Sequence, residues 1–492
     1  MYLKKLLSVI VSLAAVLCMS AAVSAVDMNI VYEAGGYSKS DIELMEKMRV
    51  MIENHDNSTL DLSKYNVSYS QLEDLYGTVV FNNPKFYYVS MVSARLEYKT
   101  KNKVLKFTPI YTHSSAYASV MKKDIDKVTE TIMAGVDSNM SDAEKVLYIH
   151  DTIVGMCDYY EGEASNTGRS IYSTLVERSS VCVGYSLTFQ YFMDLLDIPC
   201  ICITNDDHIW NMVQINENWY HVDTTWDDMN AESPNLVLHD MVLLSEYGLD
   251  RSDIRHAQWR YGMTADSSKY DDMFWSESYS KMNYCSGYWY YNTMDGLCRY
   301  SFKTGREEVV SHQSSRWLHG SRIWNISFGR NIVTGRSIIF STAKEIYKYD
   351  TVTGDTILLC KVPMKSAESI FDFDIKGNEL IVYYSDDYEH AKKNSRSYKL
   401  KGLSSANADS DTSGITVEDD GRNITVSWDD IKDAEQYMVY RYDTETGKVT
   451  LIGKTVNTEF TFKKSSDESR YRYAYKARLG TGTTRYSEWK SA

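Results

Sequence analysis

Apolar side chains recur at helical spacing in three stretches of the first half of the chain. Residues 40–54 place Leu44, Met45, Met48, Met51 and Ile52 on one face of a helix that begins near Asp41. Residues 141–158 open with Ser141-Asp142-Ala143-Glu144, a capping box in which serine and glutamate satisfy each other's exposed backbone N–H groups. They then carry Val146, Ile149, Ile153 and Val154 along one side. The third stretch follows Ser179 and Ser180, with Val183, Leu187, Phe192, Leu195 and Leu196 at roughly helical intervals. Shorter runs at 86–92, 94–98, 104–111, 201–204, 210–215 and 219–222 predict strands around these helices. Beyond 415, runs at 424–428, 436–442, 459–462 and 470–479 alternate like half-buried strands and predict an all-β module. The expected fold class is α+β, spread over several domains.

Candidate chemistry concentrates at the third helix and the strands after it. Cys182, in Val181-Cys182-Val183-Gly184-Tyr185, falls at the predicted helix N-terminus. Unpaired N–H groups and the helix dipole favour a thiolate there, and cysteine pKa values can drop from about 8.5 to between about 3.5 and 7.5. His208, in Asp207-His208-Ile209-Trp210-Asn211, opens the strand at 210–215. Asp223 closes the next one, in Trp219-Tyr220-His221-Val222-Asp223-Thr224-Thr225-Trp226-Asp227. If Asn216 and Glu217 form a two-residue turn, Ile215 faces Asn218 and Asp223 faces Trp210. Asp223 then shares the sheet face of His208, diagonal to it at a Cα separation of about 7 to 8 Å. One more residue in the turn would send Asp223 to the opposite face. A nucleophile, a base and a carboxylate able to orient the base make Cys182, His208 and Asp223 the candidate catalytic set.

Their neighbours have structural readings. His221 shares the face of Asp223 but lies opposite Met212, further from His208, and reads as a packing or cleft-wall residue. Trp210 and Trp226 read as core or cleft-wall aromatics, Asn211 as a hydrogen-bonder within the hairpin, and Asp227 and Asp228 as a solvated turn. Cys200 and Cys202 share a strand face, but no second ligand pair at zinc-site spacing accompanies them, so they read as buried thiols. No cofactor or metal is expected.

The strings V-C-x-G-Y, H-x-W-N and W-Y-H-V-D-x-T-W-D-D resemble the transglutaminase-like superfamily over about residues 140–228. The resemblance implies a papain-like core using Cys, His and Asp in that chain order. Cys182 would be the nucleophile, His208 the general base and acid, and Asp223 the residue orienting the imidazole. The implied reaction is acyl transfer through a thioester to water or an amine, with the backbone N–H of Cys182 in the oxyanion hole. Val183 departs from the glutamine that many bacterial relatives carry after the cysteine. Related secreted proteins also carry a segment like Asn83-Pro84-Lys85-Phe86-Tyr87-Tyr88, which reads as a packing and substrate-cleft element.

The ends of the chain set the expected compartment. Lys4 and Lys5 precede an apolar run over 6–19, and Val23 and Ala25 suit a signal peptide cleaved after Ala25. Leu17 precedes Cys18 where a lipid-anchor signal needs a small side chain. No later apolar run approaches the roughly 20 residues of a membrane span. A secreted, extracellular or cell-surface protein is expected. Its seven remaining cysteines are too few for a disulfide scaffold, although Cys285 and Cys298 flank an apparent hairpin and could pair. A net charge of −14, from 53 basic and 67 acidic residues, argues against nucleic acid as a partner.

The expected organisation is a signal peptide at 1–25, an N-terminal α/β subdomain at 26–138 and a catalytic domain at 139–272. An antiparallel β repeat follows at 273–401, where Tyr300, Tyr349 and Tyr398 fall 49 residues apart and Thr304-Gly305 matches Thr353-Gly354. That period suits partial, propeller-like blades. Residues 402–414 read as a linker, and 415–492 resemble a fibronectin type III sandwich with Trp428 as its core aromatic. The expected function is hydrolysis or acyl transfer at an amide of a protein or cell-wall peptide, peptidase or amidase ahead of crosslinker. The β modules could contact an extracellular polymer or protein. Close to half of the mature chain is repeat plus sandwich, so the alternative is a non-catalytic extracellular adhesion or binding protein on the same scaffold.

Overall fold

Serine caps start the early helices. α1 (Met28–Gly35) precedes α2 (Lys39–Glu53), where Ser38 Oγ accepts the Asp41 N–H while the Asp41 carboxylate accepts the Ser38 N–H, both at 3.2 Å. Leu44, Met45, Met48, Met51 and Ile52 are buried together, the face their spacing predicts. After β1 (Leu60–Asp61) come α3 (Tyr69–Phe81), β2 (Val89–Thr100), β3 (Lys103–Tyr111) and α4 (Ser115–Met133). The three strands form one antiparallel sheet in the order β1-β3-β2. Residues 89–92 and 94–98 belong to a single strand, β2, whose pairing slips between Val89 and Ala94, while 86–88 lie in the turn before it.

The computed structural model describes residues 28–491 apart from 161–167, 229–235, 253–255, 257–262, 325–326, 336, 377–378, 388–389, 391–393, 400–414, 432–433, 447, 466–467, 480–481, 484–486 and 488–489. The expected signal peptide and linker lie outside the described residues. The chain forms two compact units. The first comprises the described residues of 1–333, 338–372 and 383–394, and the second those of 334–337, 373–382 and 395–492.

In the first unit, α5 (Asp142–Val154) starts at the predicted box: the Glu144 carboxylate accepts from the Ser141 N–H at 2.8 Å and its hydroxyl at 2.7 Å. Next, β4 (Asp158–Tyr159) and β5 (Ser179–Ser180) pair in parallel ahead of α6 (Cys182–Leu195). The strands β6 (Cys200–Thr204), β7 (Ile209–Ile215) and β8 (Asn218–Val222) form an antiparallel sheet in chain order. Asn216 and Glu217 both take positive φ, 49° and 68°, as the two-residue hairpin turn matching strand twist requires. Ile215 therefore pairs with Asn218 and Asn211 with Val222. One continuous apolar core takes in Met45, Val79, Phe107, Ile149, Phe189 and Trp210.

Beyond α7 (Glu246–Ser252), the chain builds antiparallel sheets. β9 (Asn283–Cys285), β10 (Tyr288–Thr293), β11 (Gly296–Ser301) and β12 (Arg306–His312) lie side by side, followed by the pair β13 (Trp317–His319) and β14 (Arg322–Trp324). β15 (Asn331–Thr334), β16 (Ser337–Ser341), β17 (Glu345–Asp350) and β18 (Thr356–Lys361) form a second four-stranded sheet. The two sheets share a defect: pairing slips between Leu297 and Cys298 in one and between Ile346 and Tyr347 in the other, 49 residues apart. Gly305 and Gly354 turn the matching hairpins with φ of 62° and 77°. A three-stranded sheet, β19 (Ser369–Lys376), β20 (Glu379–Ser385) and β21 (Asn394–Lys399), carries Tyr398 on its third strand. The suggested Cys285–Cys298 disulfide is corrected: neither cysteine is in a disulfide. β10 lies between their strands, so two strand spacings of about 4.8 Å separate them, beyond the roughly 7 Å Cα limit of a bridge.

In the second unit, β22 (Thr416–Asp419), β23 (Asn423–Ser427) and β26 (Glu459–Lys463) form one sheet. The other has the order β25 (Val449–Thr455), β24 (Ala434–Asp443), β27 (Tyr471–Leu479), β28 (Gly482–Thr483). Ile424, Val426, Val439 and Tyr473 are buried in its core, where Trp428 stacks on Tyr475 with ring centres 4.6 Å apart.

Candidate active site

Cys182 is the first residue of α6, and its neighbours are packed to hold it there. Gly184 has no space for a side chain: a Cβ would overlap Ser180 Oγ and sit 2.8 Å from the Gly168 carbonyl oxygen. Val181 N–H bonds to that same carbonyl at 2.9 Å. The first N–H groups of a helix have no intrahelical acceptor, so the Cys182 end of α6 presents free donors beside the thiol. Burial pushes the thiols of Cys157, Cys200 and Cys202 upward, which keeps them protonated at neutral pH.

The hairpin brings the other two candidates to this thiol. Asn205 Oδ1 accepts the His208 backbone N–H at 2.9 Å, holding the bend before β7. His208 Nε2 donates to Asp223 Oδ2 at 2.5 Å, leaving Nδ1 for Cys182, which lines the same cleft and whose thiol raises the pKa of the ring. Asp223 is 1% exposed, and its Oδ1 accepts the Thr225 and Trp226 N–H groups at 2.8 and 3.2 Å. Burial alone would lower the His208 pKa, but the Asp223 charge, its hydrogen bond and Cys182 outweigh it and raise the value to about 10. Burial acts on Asp223 in the opposite sense to its imidazole partners, which win and hold the carboxyl well below its usual range.

Around His208 the aromatic positions act as walls. Trp210 stacks on its ring, 5.7 Å between centres and 11° between planes, and Trp226 meets it edge-on at 6.1 Å. Trp210 Nε1 donates to His221 Nδ1 at 3.1 Å, so the buried His221 supports the wall, and its burial lowers its pKa. Asn211 ties β7 to α6 by donating to the Ser186 carbonyl at 3.1 Å. A cleft of about 630 Å³ opens over Cys182 and His208, lined on the far side by Glu73, Asp74 and Phe81 of α3. The expected cleft element at Asn83 to Tyr88 does not line it; Asn82 does, and its Oδ1 accepts the Cys202 N–H at 3.0 Å, fastening α3 to β6.

Asp227 and Asp228 are not a solvated turn, which corrects the sequence reading. Asp227 is 0% exposed because its carboxylate takes three buried donors: the Asp240 and Met241 N–H groups and His150 Nε2, the last at 3.0 Å. Asp228 accepts the Tyr185 hydroxyl at 2.6 Å. The network continues inward: His150 Nδ1 lies 3.1 Å from Asp151 Oδ1, which also takes His239 Nε2 at 3.1 Å, while Asp151 Oδ2 takes the Met282 N–H at 2.7 Å. Among the described residues, two groups bring metal-type donors within 4.8 Å of one another, His150, Asp151 and His239, and His208, Asp223 and His256. In each the carboxylate already serves as acceptor for both rings.

Sequence reasoning missed His256 and the His150 network. His150 carried a signal: it sits between Val146 and Val154 at four-residue steps, inside the apolar stripe of its helix. His256 carried none, since nothing in its spacing ties it to Asp223.

Residues 126–224 match the Transglutaminase-like superfamily. No curated protein matches the chain at a significant level. Among solved structures, a protein from Cytophaga hutchinsonii proposed to be a cysteine protease is 24% identical over 20% of this chain and 37% of its own, with a TM-score of 0.18. The extracellular domain of a proposed hybrid two-component system from B. thetaiotaomicron is 9% identical over 58% of this chain and 43% of its own, with a TM-score of 0.19. The chain thus spans under half the length of either. Cys182, His208 and Asp223 all fall within the segment 126–224, and that segment is a transglutaminase-like domain.

Proposed function

We propose that the chain is a secreted cysteine enzyme that cleaves or transfers an acyl group at an amide bond, with protein or cell-wall peptide as substrate. The observation that carries this reading is the line Cys182–His208–Asp223, opening into a cleft within the transglutaminase-like segment. His208 Nδ1 takes the thiol proton, and the thiolate adds to the substrate carbonyl. The oxyanion that forms is met by the backbone N–H of Cys182 at the positive end of α6. The tetrahedral adduct collapses to a thioester as His208 returns the proton to the leaving amine. His208 then deprotonates the acceptor, which releases the acyl group from sulfur. Water as acceptor gives hydrolysis and a lysine amine gives a crosslink; we rank peptidase or amidase first.

In this proposal the residues beyond 415 are a fibronectin type III module. Two antiparallel sheets of three and four strands, closed over Trp428, support that assignment. Residues 1–25 act as the export signal. No helix of the described residues is long and apolar enough to cross a membrane.

The test is Cys182→Ala in the mature chain. It should abolish labelling by a thiol-directed amide-mimic probe at neutral pH while circular dichroism stays unchanged. Undiminished labelling would overturn the proposal. Mass spectrometry of peptides and wall fragments, scored for ammonia loss, cleavage or crosslinks, identifies the acceptor.

A further inference from the structure

His256 lies outside the segment that matches the family, yet its Nε2 is 2.7 Å from Asp223 Oδ2, the same oxygen that holds His208. It is fully buried. Its ring stands edge-on to those of His208, Trp210 and Trp226, at 5.3, 4.9 and 5.3 Å between centres. A carboxylate only accepts, so Nε2 carries the proton that His256 gives to Asp223. Its Nδ1 has no hydrogen-bond partner among the described residues. Among the described residues the ring is therefore anchored through one polar contact, and that contact is to the carboxylate that steers the base.

Asp223 spends its acceptor capacity on four donors. Oδ1 takes two backbone N–H groups, which fix the plane of the carboxylate, and Oδ2 is divided between two imidazoles. A divided oxygen is a weaker acceptor for each donor than an undivided one. We propose that His256 is a positioning residue of this site, sharing Asp223 Oδ2 with His208 and so limiting how tightly the carboxylate holds the His208 proton. This rests on the reading of Cys182 and His208 as nucleophile and base. The consequence is chemical: His208 must release its proton to a leaving amine, and an undivided Asp223 would retain it. The titratable groups facing the pair are Cys182 on the side of His208, Asp223 between the rings, and His221, which is itself near Glu246. Trp210 and Trp226 supply the uncharged walls.

The experiment follows alkylation of Cys182 by iodoacetamide from pH 4 to 11 in the full mature chain, read on the Cys182 peptide by mass spectrometry. A thiolate–imidazolium pair gives a low-pH plateau, and a second step to the faster free thiolate marks loss of the His208 proton. His256→Phe keeps an aromatic ring and removes the donor. It should move the second step upward by at least about 0.5 pH unit. His256→Gln, whose side-chain amide can occupy the Nε2 position, should restore the step to within about 0.2 unit of the unmodified protein. His256→Asn, whose amide reaches only the Nδ1 position, should behave like His256→Phe and replaces it should the phenylalanine variant fail to fold. A step that stays in place or moves downward in the donor-less variant overturns the inference while leaving the enzyme reading intact. An unmodified protein with no low-pH plateau overturns both.

Discussion

His150 and Asp227 meet across 77 residues of chain, with Nε2 of the ring 3.0 Å from Oδ2 of the carboxylate and neither residue exposed to solvent. The contact joins α5 to the loop that follows Asp223. Both nitrogens of His150 face carboxylate oxygens, so the ring must carry both protons to satisfy them. Burial alone would lower its pKa, but the hydrogen bonds to Asp151 and Asp227 raise it to about 9. A raised folded value means the stabilisation is complete below the unfolded value of about 6.5 and fades as pH rises through about 9. Thermal unfolding should therefore lose stability between pH 7 and pH 9.5 through this ring. His150→Gln should flatten that loss and cost about 3 to 5 kcal/mol at pH 7, because two buried carboxylates lose their shared cation. An equal slope in the variant, followed by calorimetry, would sink the assignment.

Gly184 links backbone packing to the nucleophile. With Ser180 Oγ and the Gly168 carbonyl in the space of a side chain, Gly184→Ala must push α6 away from the strand before it. Overpacking of this kind costs about 1 to 3 kcal/mol. Since the displaced turn includes Cys182, alkylation of that thiol at pH 6 should slow more than the stability loss alone explains. Urea denaturation and alkylation on one preparation check both effects.

What was legible in the sequence is what local rules dictate. The capping box at Ser141, the apolar face of α2 and the two-residue turn at Asn216-Glu217 each follow from a short string, and the turn fixes the register that pairs Asn211 with Val222, the residue before Asp223. The helices α3 and α4 stand outside the sequence expectation, although in α3 Leu72, Leu75, Tyr76, Val79 and Val80 are spaced for one face. Strong β-formers, Phe86, Tyr87 and Tyr88, follow α3 and favour a strand reading there. Polar residues in a core are harder to read. Asp227 looks like a turn residue by type, and only the folded chain brings His150 and two backbone N–H groups to it. The same holds for His256, whose partner lies 33 residues earlier.

Trp428 should dominate the second unit. It is 5% exposed and packs between Tyr475 at 4.6 Å and Tyr437 at 5.2 Å, so truncation leaves a cavity between the two sheets. Trp428→Ala should cost about 3 to 5 kcal/mol, and Trp428→Phe, which keeps most of the stacking, should cost less. Chemical denaturation followed by tyrosine fluorescence tests the order. Equal costs would mean that ring contact is not what holds the sheets.

Asp223→Asn separates the charge of the carboxylate from its shape. The two backbone N–H groups at Thr225 and Trp226 will keep the amide oxygen, so the amide NH₂ replaces Oδ2 and faces the ring nitrogens of His208 and His256. Two donors then confront each other. His208 escapes by moving its proton to Nδ1, which removes the lone pair that accepts the Cys182 proton. A wrong tautomer of this kind costs on the order of 10⁴ in turnover where a serine triad has been so altered. With the Asp223 charge present, the His208 pKa is raised to about 10, so an imidazolium stands beside the Cys182 sulfur at neutral pH. Without it, the Cys182 sulfur loses the cation beside it. The expected result is a loss of at least about 100-fold in alkylation rate at pH 6, with little change at pH 10. A variant that keeps its reactivity at pH 6 would mean that the carboxylate orients nothing, and the base would have to be sought elsewhere.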